Sequence, residues 1–157
     1  MENASKALIM AGEILIAVLI ITLLIYGYTN INQLTMQEKK EAEAQQLQAF
    51  NSEYESYNKK LLRGVDVVSV INKAINNNYK YENEEYYNIT IEFLIKSAID
   101  NSSVEMEKKH NMNSLSIIQN NIDAFKEFKS RIFDCKEVRY NKESGRINYM
   151  YFEERQT

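Results

Sequence analysis

The sequence lacks proline and tryptophan, and its 157 residues include one cysteine, one histidine and four glycines. Without proline no helix is forced to break, so helices can run long. Cys135 cannot form an internal disulfide, and no cysteine or histidine spacing typical of a metal site is present. A catalytic cysteine–histidine pair would require Cys135 and His110 to meet from two different predicted elements. We therefore expect neither a metal site nor a disulfide framework.

Catalytic sequence motifs are missing as well. None of the patterns G-x-S-x-G, G-x-x-x-x-G-K-[ST], G-x-G-x-x-G or H-E-x-x-H occurs. The formal net charge is −3, and the residues after Tyr28 include 18 basic and 20 acidic ones. Such a balance gives no electrostatic reason to expect nucleic acid as a partner. The sequence predicts a protein that is not an enzyme and that binds no cofactor, no small-molecule substrate and no nucleic acid.

The longest apolar run, residues 7–28, reads ALIMAGEILIAVLIITLLIYGY. As a helix it would be about 33 Å long, enough to cross the hydrocarbon core of a bilayer. Tyr26 and Tyr28 lie at its far end, where aromatic rings favour the headgroup layer. The alternatives are a cleavable signal peptide and a buried soluble helix, but the run is too long and too uniform for either. We predict a transmembrane anchor over residues 1–28, with membrane lipid as a partner.

Glu13 is the one ionisable residue inside this run. A carboxylate near the middle of a membrane costs on the order of 3 kcal/mol on insertion scales. Two interpretations stay open: Glu13 makes an assembly contact with a positive group on a neighbouring subunit, or it is an acid tolerated near the helix end. The flanking lysines, Lys6 on one side and Lys39 and Lys40 on the other, weakly favour a cytoplasmic C-terminal side.

Residues 29–62 are predicted to continue the helix as a polar neck followed by an amphipathic part. The stretch is rich in Gln, Glu, Lys and Ala, which favour helix. Its second half carries apolar residues at spacings of three and four, namely Leu47, Phe50, Tyr54, Tyr57 and Leu61. Two heptads are too few for a free coiled coil, so we expect this stripe to pack on the protein's own sheet. Gly64 is expected to end the helix and Asp66 to cap the next one.

Residues 63–157 are predicted to form a small α+β domain. Apolar residues alternate over 87–95, which indicates a strand, and recur at helical spacing from Leu115 to Ile132. A hairpin is expected to join 135–140 to 146–153 through a loop ending at Gly145, and Val104 and Met106 are candidates for a short further strand. The predicted fold class is α+β: a long N-terminal transmembrane-plus-amphipathic helix packed on a small antiparallel sheet with one or two further helices.

Four tyrosines crowd one predicted loop and strand start: Tyr79, Tyr81, Tyr86 and Tyr87. Amphipathic rings in a cluster are favoured at protein interfaces, which makes this a possible interaction surface. Tyrosines also serve as the rim of a small core. The sequence leaves both interpretations open.

The layout resembles that of type IV pilins and pseudopilins. Three features carry the resemblance: the apolar helix of residues 7–28, its early glutamate Glu13, and the amphipathic stripe from Leu47 to Leu61. The family's leader is basic and is removed after a glycine, whereas residues 1–12 are mostly apolar and Gly12 directly precedes Glu13.

This resemblance implies a single-pass structural subunit of a filament or secretion apparatus that self-assembles through its N-terminal helix. It also implies a C-terminal domain outside the cell, and we follow it in that expectation. The alternative hypothesis is a monomeric, membrane-anchored binding module that presents its small α+β domain to a protein partner.

Overall fold

The computed structural model describes residues 2–82, 84–99 and 104–156. The chain divides into two compact units, Met1–Gln46 and Leu47–Thr157, and a single helix runs from the first into the second. The described elements are α1 (Glu2–Glu55), β1 (Leu62–Arg63), α2 (Gly64–Lys80), β2 (Thr90–Leu94), β3 (Lys109–Asn111), α3 (Leu115–Gln119), α4 (Ile122–Ser130), β4 (Ile132–Tyr140) and β5 (Ile147–Glu154), with 3-10 turns at Glu85–Tyr87 and Met112–Ser114.

The first unit consists of α1 alone up to Gln46. Its most apolar 18-residue window has a mean hydropathy of 2.8, and none of that window is buried. Thr22, Thr29 and Thr35 donate their hydroxyl hydrogens to main-chain carbonyls three or four residues earlier. Their polar groups are thus satisfied within the helix itself. By length and composition, α1 is suited to cross a membrane.

The second unit is built on a five-stranded sheet with the order β1-β4-β5-β2-β3. The β4–β5 hairpin and the β1–β4 and β2–β3 pairs are antiparallel, but β2 runs parallel to β5. The predicted α+β class is confirmed, whereas the predicted all-antiparallel sheet is wrong. The chain from β2 to β5 passes through two helices and two strands before it returns beside β2. Alternation along β2 identifies a strand but says nothing about the direction of its neighbour.

One face of the sheet packs against the helices. Most strand residues on this face are fully buried, and so are most of the helix residues that cover them. Each large apolar side chain removed from water in this way contributes about 1.5–3 kcal/mol. The shared core includes Ile91, Phe93, Phe133, Met150 and Phe152 from the strands, Val67, Ile71 and Ala74 from α2, and Phe128 from α4. Tyr54, in the last turns of α1, is 2% exposed and joins this core as the amphipathic stripe predicted.

The stripe does not extend as far as expected, because α1 ends at Glu55 and Leu61 lies outside it. Leu61 is 63% exposed and adopts a positive φ of 60°. Its main-chain N–H donates to Oδ1 of Asp134 at 3.1 Å, and the carbonyl of Lys59 accepts from the N–H of Cys135 at 3.0 Å. The chain therefore leaves the helix early to pair with β4.

Gly64 begins α2 and does not end α1, which corrects the predicted boundary. Asp66 is not the N-cap but the third helical residue, where its Oδ2 accepts from the N–H of Arg63 at 3.0 Å. A Cβ on Gly64 would lie 1.9 Å from the carbonyl oxygen of Phe128 in α4. Only glycine fits at this crossing of the two helices.

The long helix predicted from Leu115 to Ile132 is two helices, α3 and α4, with Ile132 already in β4. The break comes at Asn121, whose Oδ1 accepts from the N–H groups of Asp123 and Ala124 at 3.0 and 3.1 Å and so caps α4. Three helices follow α1 among the described residues, where one or two were predicted. Apolar residues recur at helical spacing across the break, so periodicity alone does not show where α3 ends and α4 begins.

The predicted strands are found with shifted ends. The strand expected over 87–95 is confirmed as β2, Thr90–Leu94, and the hairpin is confirmed as β4 and β5 with Gly145 at a φ of +68°. Val104 and Met106 lie outside any strand, since β3 is formed by Lys109–Asn111. Lys109, His110 and Asn111 form the strand because they pair with β2 at Leu94, Phe93 and Glu92, although Val104 and Met106 are more apolar.

Candidate interaction sites

Glu13 lies in the first unit, in the part of α1 whose large apolar side chains, from Leu8 to Met36, are all exposed. Within the part of the chain that the structure describes, its carboxylate forms no hydrogen bond or ion pair, and Lys6 pairs instead with Glu2 at 3.3 Å. Residues seven apart share a helix face, so Ile20 and Gly27 lie on the face that carries Glu13. A Cβ on Gly27 would meet nothing within 4 Å, so this face is unpacked in the single chain.

Three of the four predicted tyrosines come together in the second unit. The rings of Tyr81 and Tyr87 stack with their centroids 5.0 Å apart, and the ring of Tyr86 meets Tyr87 edge-on at 5.4 Å. Tyr79 does not join them and is 81% exposed on the last turns of α2. The predicted surface is therefore narrower than the sequence indicated.

Arg146, which the sequence did not single out, lies close to two of these tyrosine rings and to the ring of Phe50. Its guanidinium carbon is 3.6 Å from the ring centroid of Phe50, 4.7 Å from that of Tyr87 and 5.7 Å from that of Tyr81. We name Arg146 with Phe50, Tyr81 and Tyr87 the arginine box. A guanidinium over an aromatic face is attracted by the ring quadrupole, by about 0.5–2 kcal/mol depending on solvent access.

Two asparagines, one in α1 and one in α2, form hydrogen bonds with the main chain next to the arginine box. Asn51 of α1 donates from Nδ2 to the carbonyl of Gly145 and accepts at Oδ1 from the N–H of Ile147, both at 2.9 Å. These bonds bracket Arg146 on both sides along the chain. Asn78 of α2 similarly makes two 2.8 Å bonds to the N–H and carbonyl of Ile89, just before β2. The starts of β2 and β5 are thereby fixed to the helices.

The parallel register explains why Tyr87 and Arg146 meet. Thr90 is paired with Tyr149, and Tyr87 and Arg146 each come three residues earlier, so the parallel direction brings both residues to the same end of the two strands. The carbonyl of Tyr87 also accepts from Nδ2 of Asn77 at 2.8 Å. Because this pairing depends on the direction of β2 relative to β5, no pattern within either segment could have revealed it.

The electrostatics of the arginine box are unusual for this chain. Arg146 forms no ion pair with the described residues, and its Nε is buried without a hydrogen-bond partner there. The side-chain oxygens of Asn88 and Asn148, also near the starts of β2 and β5, are likewise buried without a hydrogen-bond partner among the described residues. Burial, with a smaller effect of Glu53, raises the pKa of the nearby Tyr54 phenol, and the positive charge of Arg146 opposes that rise.

Arg131, which directly precedes β4, differs from Arg146 because it has a carboxylate partner. Arg131 and Glu154, with side chains 10% and 7% exposed, are joined by a 3.0 Å contact. Glu154 also accepts from the N–H groups of Lys96 and Ser97 at 2.6 and 3.1 Å, which ties the segment after β2 to the end of β5. Buried charges of this kind are tolerated when they are paired and hydrogen-bonded.

The opposite face of the sheet carries a second group of tyrosines, which contact charged side chains of the same domain. The phenol of Tyr149 donates to Glu92 at 2.6 Å, and the guanidinium of Arg139 lies 4.2 Å from the Tyr149 ring centroid. Lys109 lies 4.2 Å over the ring of Tyr151. Burial and the Glu92 hydrogen bond raise the pKa of the Tyr149 phenol. Each charge here has its counterpart within the fold.

Cys135 and His110 are not brought together. They lie on β4 and β3, which are separated by β5 and β2, so about 14 Å of sheet stands between them. His110 packs on Phe93 with ring centroids 5.6 Å apart, and its Nε2 is 2.7 Å from the carbonyl oxygen of Glu105. Burial raises the pKa of the Cys135 thiol to about 11, so it is mostly protonated at neutral pH.

Across residues 2–82, 84–99 and 104–156, no cluster of three or more His, Cys, Asp or Glu side chains is arranged to hold a metal ion. Comparison of the chain with protein-family models, with curated proteins and with solved structures gives no significant match.

Proposed function

We propose that this chain is a single-pass membrane protein with a structural, pilin-like role. Residues 7–28 of α1 would span the bilayer and self-associate, and the second unit would form a domain outside the cell. The observation that carries the proposal is the fully exposed apolar surface of a helix that continues unbroken into a folded domain.

The free energy of that exposed surface supports membrane insertion. Every leucine and isoleucine between Leu8 and Ile25 is more than half exposed. Removing such side chains from water is worth about 1–2 kcal/mol each, or well over 10 kcal/mol for the whole segment. The core helix of a soluble protein would bury this surface in its own fold, whereas here none of the apolar window is buried.

Glu13 is proposed as an assembly residue because it is an ionisable group without a partner in the single chain. Intramembrane carboxylates usually pair within a bundle, and a neighbouring copy would supply the positive group. Gly27 on the same helix face would let a second helix approach closely. Lipid would then cover the remaining faces.

The test is Glu13→Ala in the native membrane, with Ile14→Ala as the matched control, since Ile14 faces about 100° away. Assembly is measured by cross-linking and native electrophoresis, and insertion by resistance to alkaline extraction. We expect Glu13→Ala to abolish assembly and to keep insertion, while Ile14→Ala changes neither. Unchanged assembly in Glu13→Ala would remove the proposed role.

Sidedness is tested on whole cells with an added protease, together with the intact mass of the purified protein. We expect the domain to be cleaved from outside and the mass to be that of the full chain. A mass starting at Glu13 would show removal of the first 12 residues as in pilins. A protected domain would show that it faces the cytoplasm and would contradict the pilin-like role.

A second candidate function is a monomeric anchored binding module. The arginine box favours it, since it joins an unpaired cation to clustered aromatic rings. Mass measurement of the protein in nanodiscs separates the two candidates. One copy per disc, at protein densities where Glu13-dependent assembly is expected, would favour the module.

A further inference from the structure

The arginine box presents a partly buried positive charge that the described residues leave unneutralised. Glu82 and Glu84 follow Tyr81 closely in the chain, yet neither forms an ion pair with Arg146. Phe50, Tyr81 and Tyr87 supply the aromatic rings around the guanidinium, whose Nε is buried, so its two Nη groups are left for hydrogen bonding. A guanidinium carries five N–H donors, and none of those of Arg146 has a partner among the described residues.

Three other arginines on or beside β4 and β5 have carboxylate partners, whether the side chain is nearly buried, as in Arg131 at 10% exposed, or mostly exposed, as in Arg139 at 57%. Arg131, Arg139 and Arg155 each contact a carboxylate at 3.0 Å or less. A buried donor left without an acceptor lowers stability, and a charged one more so. Arg146 is nevertheless held in place by the Asn51 hydrogen bonds to Gly145 and Ile147. This is the arrangement of a donor fixed in advance for an acceptor outside the fold.

We propose that the arginine box binds a carboxylate of a partner protein, from an aspartate or glutamate side chain on an acidic segment. The planar fork of a guanidinium matches the two oxygens of a carboxylate and forms two parallel hydrogen bonds with it. A phosphate dianion calls for several cations, whereas Arg146 is the one guanidinium in the box. Lys80 adds a second positive charge at the rim, with its Nζ 5.2 Å over the ring of Tyr81. The proposal does not depend on self-association of α1.

The test uses the full chain in detergent micelles and the NMR signals of arginine Nε–H groups. The Arg146 signal is assigned through its own side-chain correlations, so no substitution is required. The probe is an acetylated, amidated Gly-Glu-Gly peptide, and the control is the same peptide with Gln in place of Glu. We expect a saturable shift of the Arg146 signal with the Glu peptide that weakens with added salt, and no shift with the Gln peptide.

The signals of Arg139 and Arg155 serve as internal controls, since both side chains already have carboxylate partners. Equal shifts at all three arginines would mean non-specific charge effects and would overturn the proposal. The same holds for equal responses to both peptides, or for no response to the Glu peptide at tens of millimolar. Inorganic phosphate is titrated in parallel, and a stronger effect of phosphate than of the Glu peptide would overturn the assignment of a carboxylate.

Two variants separate binding from folding. Arg146→Lys keeps the charge but loses the planar fork, and we expect affinity for the Glu peptide to fall about tenfold, monitored at the signals of neighbouring amides. Tyr87→Phe keeps the stacking ring and should bind as the unmodified protein does. Equal affinity of Arg146→Lys and the unmodified protein would contradict recognition by the guanidinium fork.

Discussion

Replacing Gly64 by alanine tests the close crossing of α2 and α4 described above. The added Cβ would lie 1.9 Å from the carbonyl oxygen of Phe128 and 2.8 Å from its carbonyl carbon. Both are main-chain atoms, so no flexible side chain can move aside. A normal carbon–oxygen contact is about 3.3 Å. The start of α2 would therefore have to move away from α4 by roughly 1.4 Å.

That movement would disturb a hydrogen bond and the core together. The N–H of Gly64 donates to the carbonyl of Arg131 at 2.7 Å, and Val67 and Val68 follow directly in the buried face of α2. Overpacking costs about 1–3 kcal/mol, and an unpaired buried main-chain group costs a similar amount. Alanine recovers up to about 1 kcal/mol of helix propensity. We expect a net loss of about 3 kcal/mol in the free energy of unfolding.

The assay is urea unfolding of the full chain in detergent, followed by near-UV circular dichroism of the tyrosines. A loss of about 3 kcal/mol should also lower Tm by on the order of 10 °C. Gly12→Ala is the matched control, because a Cβ there meets nothing within 4 Å and stability should stay within about 0.5 kcal/mol. A loss below about 1 kcal/mol for Gly64→Ala would refute the steric argument.

Three further predictions concern the segment around β4. Burial raises the pKa of the Asp134 carboxyl, but the guanidinium of Arg155 and the N–H of Leu61 lower it more, so the net direction is down. The stability that Asp134 contributes is present above its unfolded-state pKa of about 3.9 and is lost as the pH falls below that value. In Asp134→Asn, the free energy of unfolding should therefore decrease less between neutral and acidic pH than in the unmodified protein. Because burial raises the pKa of Cys135 to about 11, alkylation at pH 8, followed by mass spectrometry, should be on the order of 100-fold slower than for a free cysteine; a comparable rate would show an accessible thiolate. Leu61 has a positive φ and an exposed side chain, so Leu61→Gly should be about 1 kcal/mol more stable than Leu61→Ala in urea unfolding, and the reverse order would contradict strain at this position.

Local patterns in the sequence predicted the helices and strands better than they predicted which strands pair and which distant groups form hydrogen bonds. The alternation around Ile91 and Phe93, the glycine of the hairpin loop and the burial of Tyr54 are all set by neighbouring residues, and each was predicted. The ends of α1 and α4 depend on hydrogen bonds to distant groups, such as Asp134 for Leu61. Those bonds leave no periodic trace in the sequence. The parallel pairing of β2 with β5 is non-local for the same reason.

The arginine box, too, could be predicted from the sequence only in part. A cluster of tyrosines was visible in the sequence, and Tyr81, Tyr86 and Tyr87 do lie together. Arg146 and Phe50 come from segments almost 100 residues apart, and their 3.6 Å contact depends on where α1 meets the hairpin. Asn51, Asn78 and Asn121 each make at least two directed hydrogen bonds, although no sequence pattern distinguishes them from the other asparagines. A hydrogen-bonding side chain shows its use only when its partners are known.

The position of β5 within the sheet has a consequence for the order of events during synthesis. The last strand of the chain, Ile147–Glu154, lies between β4 and β2 and pairs with both. Until it has been made, the earlier strands amount to two separate pairs, β1 with β4 and β2 with β3, and a two-stranded piece is marginal alone. The domain therefore cannot close while the ribosome is still adding these residues, at some 5–20 per second. In the proposed membrane protein, α1 would enter the bilayer first, and a chain that stopped before Ile147 would be an inserted helix followed by a domain without its central strand.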